Sequence, residues 1–296
     1  MYNSPIAVLK GIKALFLKEL GTAGKPNTKN IIEIVSSDGA YEDYWIPDTA
    51  GRIREWLDEI VYSDGKDYSF QIYNKDWGGG FKVKRSTLSD SKKYLGGNIE
   101  SWIRSLAREW VYFPDDFVYQ LISTNGNAFD GSAFFANSRL IDTGSNVIDN
   151  IISGTGTTQA QIIADYKDAY NQLIGFKDRN NRPFNPNPKI ALFIPAHLKF
   201  TFETIFSPKA QILSQSSNIM AGEVELIINY QQSNSDNDWY LININATLKP
   251  FVIQERELPN WNMKDEEDNV NIKYFTTGRY GYGYGNPMAI VKVDNS

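Results

Sequence analysis

The 296-residue chain has no cysteine and a single histidine, and these two shortages exclude several kinds of site. Without cysteine there is no disulfide, no thiolate nucleophile and no thiolate-bound metal. A centre built from several histidines is excluded too, and a Ser-His-Asp triad would have to use His197. Because His197 sits in a Pro-Ala-His-Leu helix start, with no Gly-x-Ser-x-Gly pattern, we predict a structural or surface role for it.

Long apolar runs and a surplus of positive charge are also missing. The longest runs, such as "IALFIP" (190–195), are far shorter than the about 20 residues that a membrane helix needs. The N-terminus has no signal-peptide pattern, so we expect the chain to stay in the cytoplasm that made it. With 30 basic and 35 acidic residues the net charge is −5, which argues against strong non-specific DNA binding but leaves room for a local basic patch.

What the chain does contain is typical of a folded, water-soluble protein: 42% hydrophobic and 22% charged residues. Its length suits one large domain or two interleaved ones. Aromatic residues make up 14%, with 17 Tyr and 7 Trp, and such amphipathic rings suit partly exposed contacts between subunits.

The first 86 residues combine a helix with strand-like segments. Apolar residues at helical spacing, from Ile6 to Leu20, predict an amphipathic helix that resembles an arm, with a linker after Gly21. Residues 31–85 alternate strand-like segments with turns such as "WGGGF", around one short helix at 49–61. This segment has too few apolar positions to build a hydrophobic core of its own. We therefore expect it to lean on something else, most simply another subunit.

The rest of the chain mixes helices and strands. A long helix is predicted after Ser89 as its N-cap, with Pro114 either kinking it or opening a second helix. A second clear helix covers 159–176, capped by Thr158 and Gln161. Strands are predicted at "KIALFIP", at "VELIINY" and "WYLININ" around a polar tip, and in three closing segments.

The stretch "LKPFVIQERELPNW" (248–261) carries the most suggestive acidic residues. Glu255 and Glu257, with the acidic run 265–268, contain enough carboxylates for a glycosidase pair. Strand alternation predicts that Glu255 and Glu257 share one face and Arg256 the other. We therefore favour ion pairs with a neighbouring strand or subunit over catalysis.

Two further motifs have a plainer structural interpretation. "GTGTTQ" (154–159) precedes a helix as phosphate loops do, but it lacks the Gly-Lys-Ser/Thr ending and the preceding strand. "RYGYGYGNP" (279–287) alternates tyrosine with glycine, which would suit stacking on bases or sugars. A packed ladder of Tyr280, Tyr282 and Tyr284, with close backbone approach at the glycines, is the more economical interpretation. The sequence thus predicts no catalytic residue, metal or cofactor.

Several segments occur together in an order that is typical of one family. They are "IREWLDEIV" (53–61), "FKVKRSTLSDS" (81–91), "WVYFPDDFVYQLIS" (110–123), "FDGSAFFANSR" (129–139), "FKDRNNRPFNPNPKIALFIP" (176–195), "WYLININATLKPFVIQERELPNW" (239–261) and "KYFTTGRYGYGYGNPMAIV" (273–291). In combination they resemble the major head subunit of phage Mu and its prophage relatives, the gpT-like major capsid proteins. The resemblance spans most of the chain, and "LKPFVIQERELP" together with "FDGSAFF" is fairly specific.

The resemblance implies an α+β chain with the HK97-like fold of tailed-phage and herpesvirus shells. The implied parts are an N-terminal arm (1–30), an extended loop (31–86), a peripheral domain with a long spine helix (87–125 and 246–296) and an axial domain (126–245). Relatives often carry His at the end of the "FDGSAFF" motif, where this chain has Asn137-Ser138-Arg139. No catalytic role depends on that position.

The implied function is that of a major capsid (head) protein of a tailed bacteriophage or prophage. Its copies would assemble as hexamers and pentamers into an icosahedral shell around double-stranded DNA, which the inner face would contact without sequence specificity. Separate scaffolding or protease, portal and decoration proteins would be its other partners. It would assemble in the bacterial host cytoplasm and end in the virion, without contact with a membrane.

Seven charged residues and one tryptophan in the extended loop and the peripheral strands are the candidates for contacts between subunits. They are Arg52, Arg54, Trp56, Lys84, Arg85, Glu255, Arg256 and Glu257. Each exposed ion pair contributes only about 0 to 1 kcal/mol, so their effect must come from repetition.

Other classes of protein remain as alternatives. A glycan-binding or glycan-cleaving protein would use the aromatic surface with a carboxylate pair, and would be a monomer with a deep cleft. A tail protein or an encapsulin-like compartment shell protein would share assembly but differ in symmetry or cargo.

Overall fold

The protein combines helices and strands in two main sheets, as the computed structural model shows. The structure describes residues 5–47, 67–90, 97–140, 147–178, 181–207, 220, 222–265 and 270–295. Its helices are α1 (Pro5–Thr22), α2 (Arg85–Asp90), α3 (Gly97–Thr124), α4 (Gln159–Gly175) and α5 (Lys199–Phe206). Its strands are β1 (Ile32–Ser36), β2 (Tyr41–Pro47), β3 (Asp67–Tyr73), β4 (Lys75–Lys84), β5 (Arg139–Leu140), β6 (Val147–Ile148), β7 (Ile151–Ser153), β8 (Ile190–Pro195), β9 (Glu225–Asn229), β10 (Trp239–Asn243), β11 (Phe251–Asp265), β12 (Asn271–Tyr284) and β13 (Ile290–Asp294).

A four-stranded sheet is built around the long pair of β11 and β12. Its strand order is β1-β11-β12-β4, with β1 parallel to β11 and the other neighbours antiparallel. Strands β1 and β4 come from the segment predicted to lean on another subunit. These two strands do lean on something else, as predicted, but their support is the later strands of their own chain, so no other subunit is needed to hold them.

The glycines of the predicted "WGGGF" break lie inside β4 instead. Helix α3 crosses this strand, and a β-carbon on Gly79 would meet Leu106 Cδ2 at 3.0 Å. A β-carbon on Gly80 would lie 2.6 Å from the carbonyl oxygen of Tyr274 on β12. The glycines therefore let β4 lie close to α3 and to β12. Glycine inside a strand often marks such a close approach, so the predicted turn at these residues is wrong.

Helix α1 packs on α3 and on the four-stranded sheet. Val8, Ile12 and Phe16 are at most 1% exposed and share a core with Ile103 and Trp261. The predicted helix is confirmed, but its buried face is rotated from the predicted one. The side chain of Ile6, which was predicted to lie on the apolar face, is 58% exposed.

Helix α3 is a single 28-residue helix that continues through Pro114. The prediction of Ser89 as its N-cap is wrong, because Ser89 lies in the separate short helix α2. Just after the proline, the Asp115 carboxylate accepts hydrogen bonds from the Asn27 and Thr28 N–H groups at 3.1 and 2.9 Å. The middle of α3 thus holds the turn that follows α1.

The second main sheet has five strands in the order β7-β13-β10-β8-β9. One face packs on α4 and α5. The other face packs on α3 and on the first residues of β1 and β11 in the four-stranded sheet. Strands β8 and β10 are buried throughout, as the apolar run "IALFIP" predicts. The predicted cap of α4 is also present, since Gln161 Oε1 accepts the Thr158 N–H at 3.2 Å.

The two strands on either side of the polar tip "QQSNSDND" do not pair with each other. Strand β8 lies between β9 and β10, parallel to β9 and antiparallel to β10. The connection therefore crosses β8, and the strand order could not have been derived from the adjacency of the two segments.

Candidate intersubunit surfaces

The Glu255-Arg256-Glu257 triplet lies at a β-bulge in β11. Glu255 is opposite Tyr280 and Glu257 is opposite Arg279, so Arg256 is an extra residue in its strand. An extra residue bends the strand and interrupts the alternation of its faces. The prediction that strict alternation orients these three side chains therefore does not hold here.

Glu255 is half-buried, and neither its sequence neighbour Arg256 nor another described cation forms an ion pair with it. Burial alone raises the pKa of its carboxyl, and no described residue forms an ion pair with it. Burial, and then the Glu255 charge, raise the pKa of Tyr280 opposite. A charge that loses water without gaining a partner costs free energy. Among the residues that the structure describes, this carboxylate has no compensating ion pair.

Arg256 interacts electrostatically with Glu42, which lies at the base of the hairpin formed by β2 and β3. The Glu42 carboxylate there accepts hydrogen bonds from Ser37 Oγ at 2.7 Å and from the Asp38 and Gly39 N–H groups at 3.0 and 3.1 Å. These bonds, Ser37 first, lower the pKa of Glu42, and the positive charge of Arg256 adds to them.

Asn74 ties the same hairpin base to the junction between β3 and β4. Its side-chain amide donates to Ser37 Oγ at 2.7 Å and to the Gly39 carbonyl at 3.0 Å. The turn residues Ser37, Asp38 and Gly39 predict a break in the strand, but no local pattern predicts that Glu42 and Asn74 close the network around it.

Three other predicted contact residues lie in the four-stranded sheet or directly after one of its strands. Arg85 forms an ion pair with Asp265 of its own chain at 2.8 Å. Glu257 lies 3.6 Å from Arg279. Lys84 is exposed at the end of β4. Arg85 and Glu257 are thus already paired within the chain, whereas Glu255 forms no ion pair in the described ranges.

Arg52, Arg54 and Trp56 lie outside the described residues, as does the predicted short helix at 49–61. Their assignment to subunit contacts stays a prediction.

The alternating tyrosines form a packed ladder, as predicted. Tyr282 stacks on Phe117 with ring centroids 4.1 Å apart, and Tyr284 stacks on Phe134 at 4.7 Å. The glycines between them leave room for the β2–β3 hairpin to pack against β12. A β-carbon on Gly283 would lie 2.9 Å from the side chain of Ile72. The tyrosines hold the two sheets and α3 together.

The motifs weighed for chemistry have structural partners. The exposed His197 ring lies 3.0 Å from Asn237 Oδ1. In the "GTGTTQ" loop, the buried Asp165 carboxylate accepts both the N–H and the hydroxyl of Thr155 at 2.9 and 2.8 Å. The Gly156 N–H donates to Asn295 Oδ1 at 3.1 Å. These loop donors are therefore bonded within the chain.

The described part of the chain has neither a metal-binding cluster nor a membrane-spanning helix. It holds no group of three or more acidic or histidine side chains that could bind a metal ion. None of its helices combines the length and the apolar character needed to cross a membrane.

Comparison with known families adds the decisive observation. The sequence profile of the family described as "Mu-like prophage major head subunit gpT" matches residues 6–179 and 228–290. These ranges include α1, α3, α4 and both strands of the β11–β12 pair. The chain belongs to the Mu-like gpT major head subunit family.

Solved capsid structures share the fold of this gpT family member. The procapsid protein of bacteriophage JBD30 matches with a TM-score of 0.53 and 17% identity, over 99% of this chain and 76% of that one. The mature capsid protein of bacteriophage PhiM1 matches at 0.60 and 8%, over 92% and 87%. A virus-like particle protein from Pyrococcus furiosus matches at 0.55 and 11%, over 97% and 99%. No curated protein sequence matches the chain.

Together these matches confirm the α+β, HK97-like fold and the function of a phage major capsid protein. Because the fold also occurs in a virus-like particle, the family match is what favours a phage head over another kind of shell. The comparisons do not support the glycan-binding or compartment-shell alternatives.

The position where this chain departs from the resemblance has a structural role. Arg139 is 2% exposed, and its guanidinium donates to the Phe134 carbonyl at 3.0 Å and lies 3.5 Å from Asp130. Burial lowers its pKa, and Asp130 opposes that shift. Arg139 thus ties the end of the "FDGSAFFANSR" segment back onto its beginning.

Proposed function

We propose that copies of this chain assemble as hexamers and pentamers into an icosahedral shell that encloses double-stranded DNA, and that the chain has no catalytic role. The observation that supports this most is the family match, because it covers parts of both sheets and the helix between them. The protein would assemble in the host cytoplasm. Scaffolding or protease, portal and decoration proteins would be separate partners.

The proposed division of the chain follows the sequence analysis: an arm (1–30), an extended loop (31–86), a peripheral domain (87–125 and 246–296) and an axial domain (126–245). In this division the four-stranded sheet joins the loop to the peripheral domain, because β1 and β4 pair with β11 and β12. Bending at this joint would be limited to the β2–β3 hairpin, whose base is held by Glu42 and Asn74.

We further propose that Glu255 and Arg256 contact a neighbouring subunit, with Lys84, Arg85 and Glu257 at the edge of the same surface. Glu255 supports this best. It is a half-buried carboxylate that forms no ion pair with the described residues, and a neighbour's Lys or Arg would compensate it. Arg85 is already paired with Asp265, and Glu257 with Arg279. Each would gain a second charged partner from the neighbouring subunit. Arg52, Arg54 and Trp56 complete the proposed set.

Size and imaging test the assembly. The purified full chain should elute as capsomers or particles, well above its 33.6 kDa monomer mass, and negative-stain images should show rings or closed shells. Particles from a phage lysate, imaged with and without packaged DNA, would show what the shell encloses. A chain that stays monomeric at every concentration, and that acts on a panel of glycans, would contradict the proposal.

A further inference from the structure

Three lysines meet at one end of the four-stranded sheet. Strands β1 and β11 run parallel and begin their pairing at Ile32 and Phe251, so the residues before each strand lie at the same end. Lys29 lies in the 3-10 turn before β1, and Lys25 is four residues earlier. Lys249 comes two residues before β11, and its ammonium donates to the Ile32 carbonyl at 3.0 Å.

The charges of these lysines act on one another. The pKa of Lys29 is lowered, first by its contact with Lys25 and the repulsion between them, and further by Lys249. Like charges at close range favour the neutral form of each other. The geometry agrees, because the Lys249 ammonium is bonded to the carbonyl of Ile32, only three residues after Lys29. The three side chains thus form a local group of positive charge, although the whole chain carries a net charge of −5.

In the part of the chain that the structure describes, no ion pair holds these lysines. None of the three lysines forms an ion pair with a carboxylate among the described residues, whereas basic residues elsewhere do: Arg85, Arg104, Arg182, Arg279 and Lys292. The carboxylates beside the turn are held by neutral donors. Asp115 accepts from Asn27 and Thr28, and Glu225 accepts from the Asn30 amide at 2.6 Å.

The surroundings also fix the patch in place. The Thr28 side chain is 1% exposed, and its hydroxyl donates to Asp115 at 2.6 Å. The turn that carries Lys29 is thereby anchored to α3, and Lys249 is anchored to β1. The flexible ends of Lys25 and Lys29 are exposed, so they can reach a ligand without moving the backbone.

We propose that Lys25, Lys29 and Lys249 bind adjacent phosphates of a DNA duplex without reading its sequence. This inference rests on the proposed function, which brings DNA to the shell. Lysine acts as a point charge toward phosphate, and a duplex offers one negative charge per about 1.7 Å of its axis. A protein partner would instead have to place carboxylates at matched points. In an acidic chain, contact with DNA requires a local patch of this kind.

A binding titration with matched variants tests the proposal. Capsomers of the full chain are titrated onto a fluorescent duplex of about 30 base pairs, and anisotropy is read between about 50 and 200 mM salt. The double variant Lys25→Gln/Lys29→Gln should bind at least about tenfold more weakly at low salt. The slope of log affinity against log salt should fall by about two, since each phosphate contact contributes about 0.9.

The control is Lys10→Gln/Lys18→Gln, which removes the same charge from exposed positions on α1. It should keep most of the affinity and the slope. Equal losses in both double variants would reduce the effect to net charge and overturn the proposal, as would no measurable binding by the unchanged chain.

Shell formation is scored separately by electron microscopy. If Lys25→Gln/Lys29→Gln alters the particles and leaves DNA binding unchanged, the patch contacts another protein and the proposal is wrong. If no variant and no unchanged chain forms shells, the proposed function fails, whereas the DNA titration still tests the lysines. Lys249→Arg, which keeps both the charge and a donor toward Ile32, should bind DNA like the unchanged chain.

Discussion

The two sheets of this capsid protein differ in how far they are completed by their own chain. In the five-stranded sheet, β8 and β10 are fully buried between α4 and α5 on one face and α3 on the other. In the four-stranded sheet, β11 begins buried, bulges at Arg256 and then continues with exposed and charged residues. One sheet is a core, and the other leaves groups such as Glu255 without an ion-pair partner among the described residues. This contrast favours the second sheet for the proposed assembly surface.

Truncating a core residue of the five-stranded sheet should have the largest effect. Trp239 is fully buried, so Trp239→Ala should lower the free energy of unfolding by about 3 to 5 kcal/mol, because it leaves a cavity. Leu258 on β11 is 68% exposed, and Leu258→Ala should change it by no more than about 0.5 kcal/mol. Denaturant unfolding of capsomers measures both. Comparable losses in the two variants would remove the distinction between the sheets.

Adding a methyl group at the hairpin contact should have the next largest effect. A β-carbon on Gly281 would lie 2.5 Å from Gln254 Oε1 and 2.9 Å from the Tyr73 carbonyl. Gly281→Ala should therefore cost about 1 to 3 kcal/mol of unfolding free energy, through overpacking. Gly21→Ala adds the same group where nothing lies within 4 Å, and it should be neutral or slightly stabilising. A neutral Gly281→Ala would mean that the hairpin does not rest on β12.

Local patterns predicted the elements better than their pairing. Apolar spacing was enough to predict that α1 and α4 are helices, and an unbroken apolar run was enough for β8, although the predicted buried face of α1 was wrong. The pairing of β1 with β11 joins residues more than 200 positions apart, and no local pattern encodes it. The same limit applies to the site. The charged triplet was found, but the bulge at Arg256 depends on long-range register and was missed.

Reversing the charge of Arg256 should weaken assembly more than folding. Arg256→Glu removes a positive charge beside Glu42 and adds a negative one near Glu255, at a proposed contact. Each exposed pair contributes about 0 to 1 kcal/mol, and repetition over a shell multiplies a small loss into fewer closed particles. Particle counts by electron microscopy measure this effect.

Lys264→Glu makes the same charge change at an exposed position farther along β11 and should leave particle counts unchanged. Thermal unfolding of the capsomers separates folding from assembly. If Arg256→Glu assembles normally, the charge-pair role of this residue is wrong.

The smallest effect, and the most specific, concerns Glu255. Because burial raises the pKa of its carboxyl in the folded chain, the folded state binds this proton more readily than the unfolded state does. Stability is therefore lost as the pH rises through the folded pKa. In dispersed capsomers at neutral pH, Glu255→Gln should raise the free energy of unfolding by no more than about 1 kcal/mol, since water still reaches part of the side chain. Well below the ordinary carboxyl pKa the gain should vanish.

In assembled shells the sign should reverse. A cation from the neighbour would compensate the Glu255 charge, so Glu255→Gln would remove an attraction and lower the melting temperature of particles while it raises that of capsomers. Glu257→Gln serves as the control, because Glu257 already faces Arg279 of its own chain and should show no gain in capsomers. A gain of equal size in capsomers and shells would show that Glu255 stays uncompensated after assembly, and the subunit contact would then have to lie elsewhere on the four-stranded sheet.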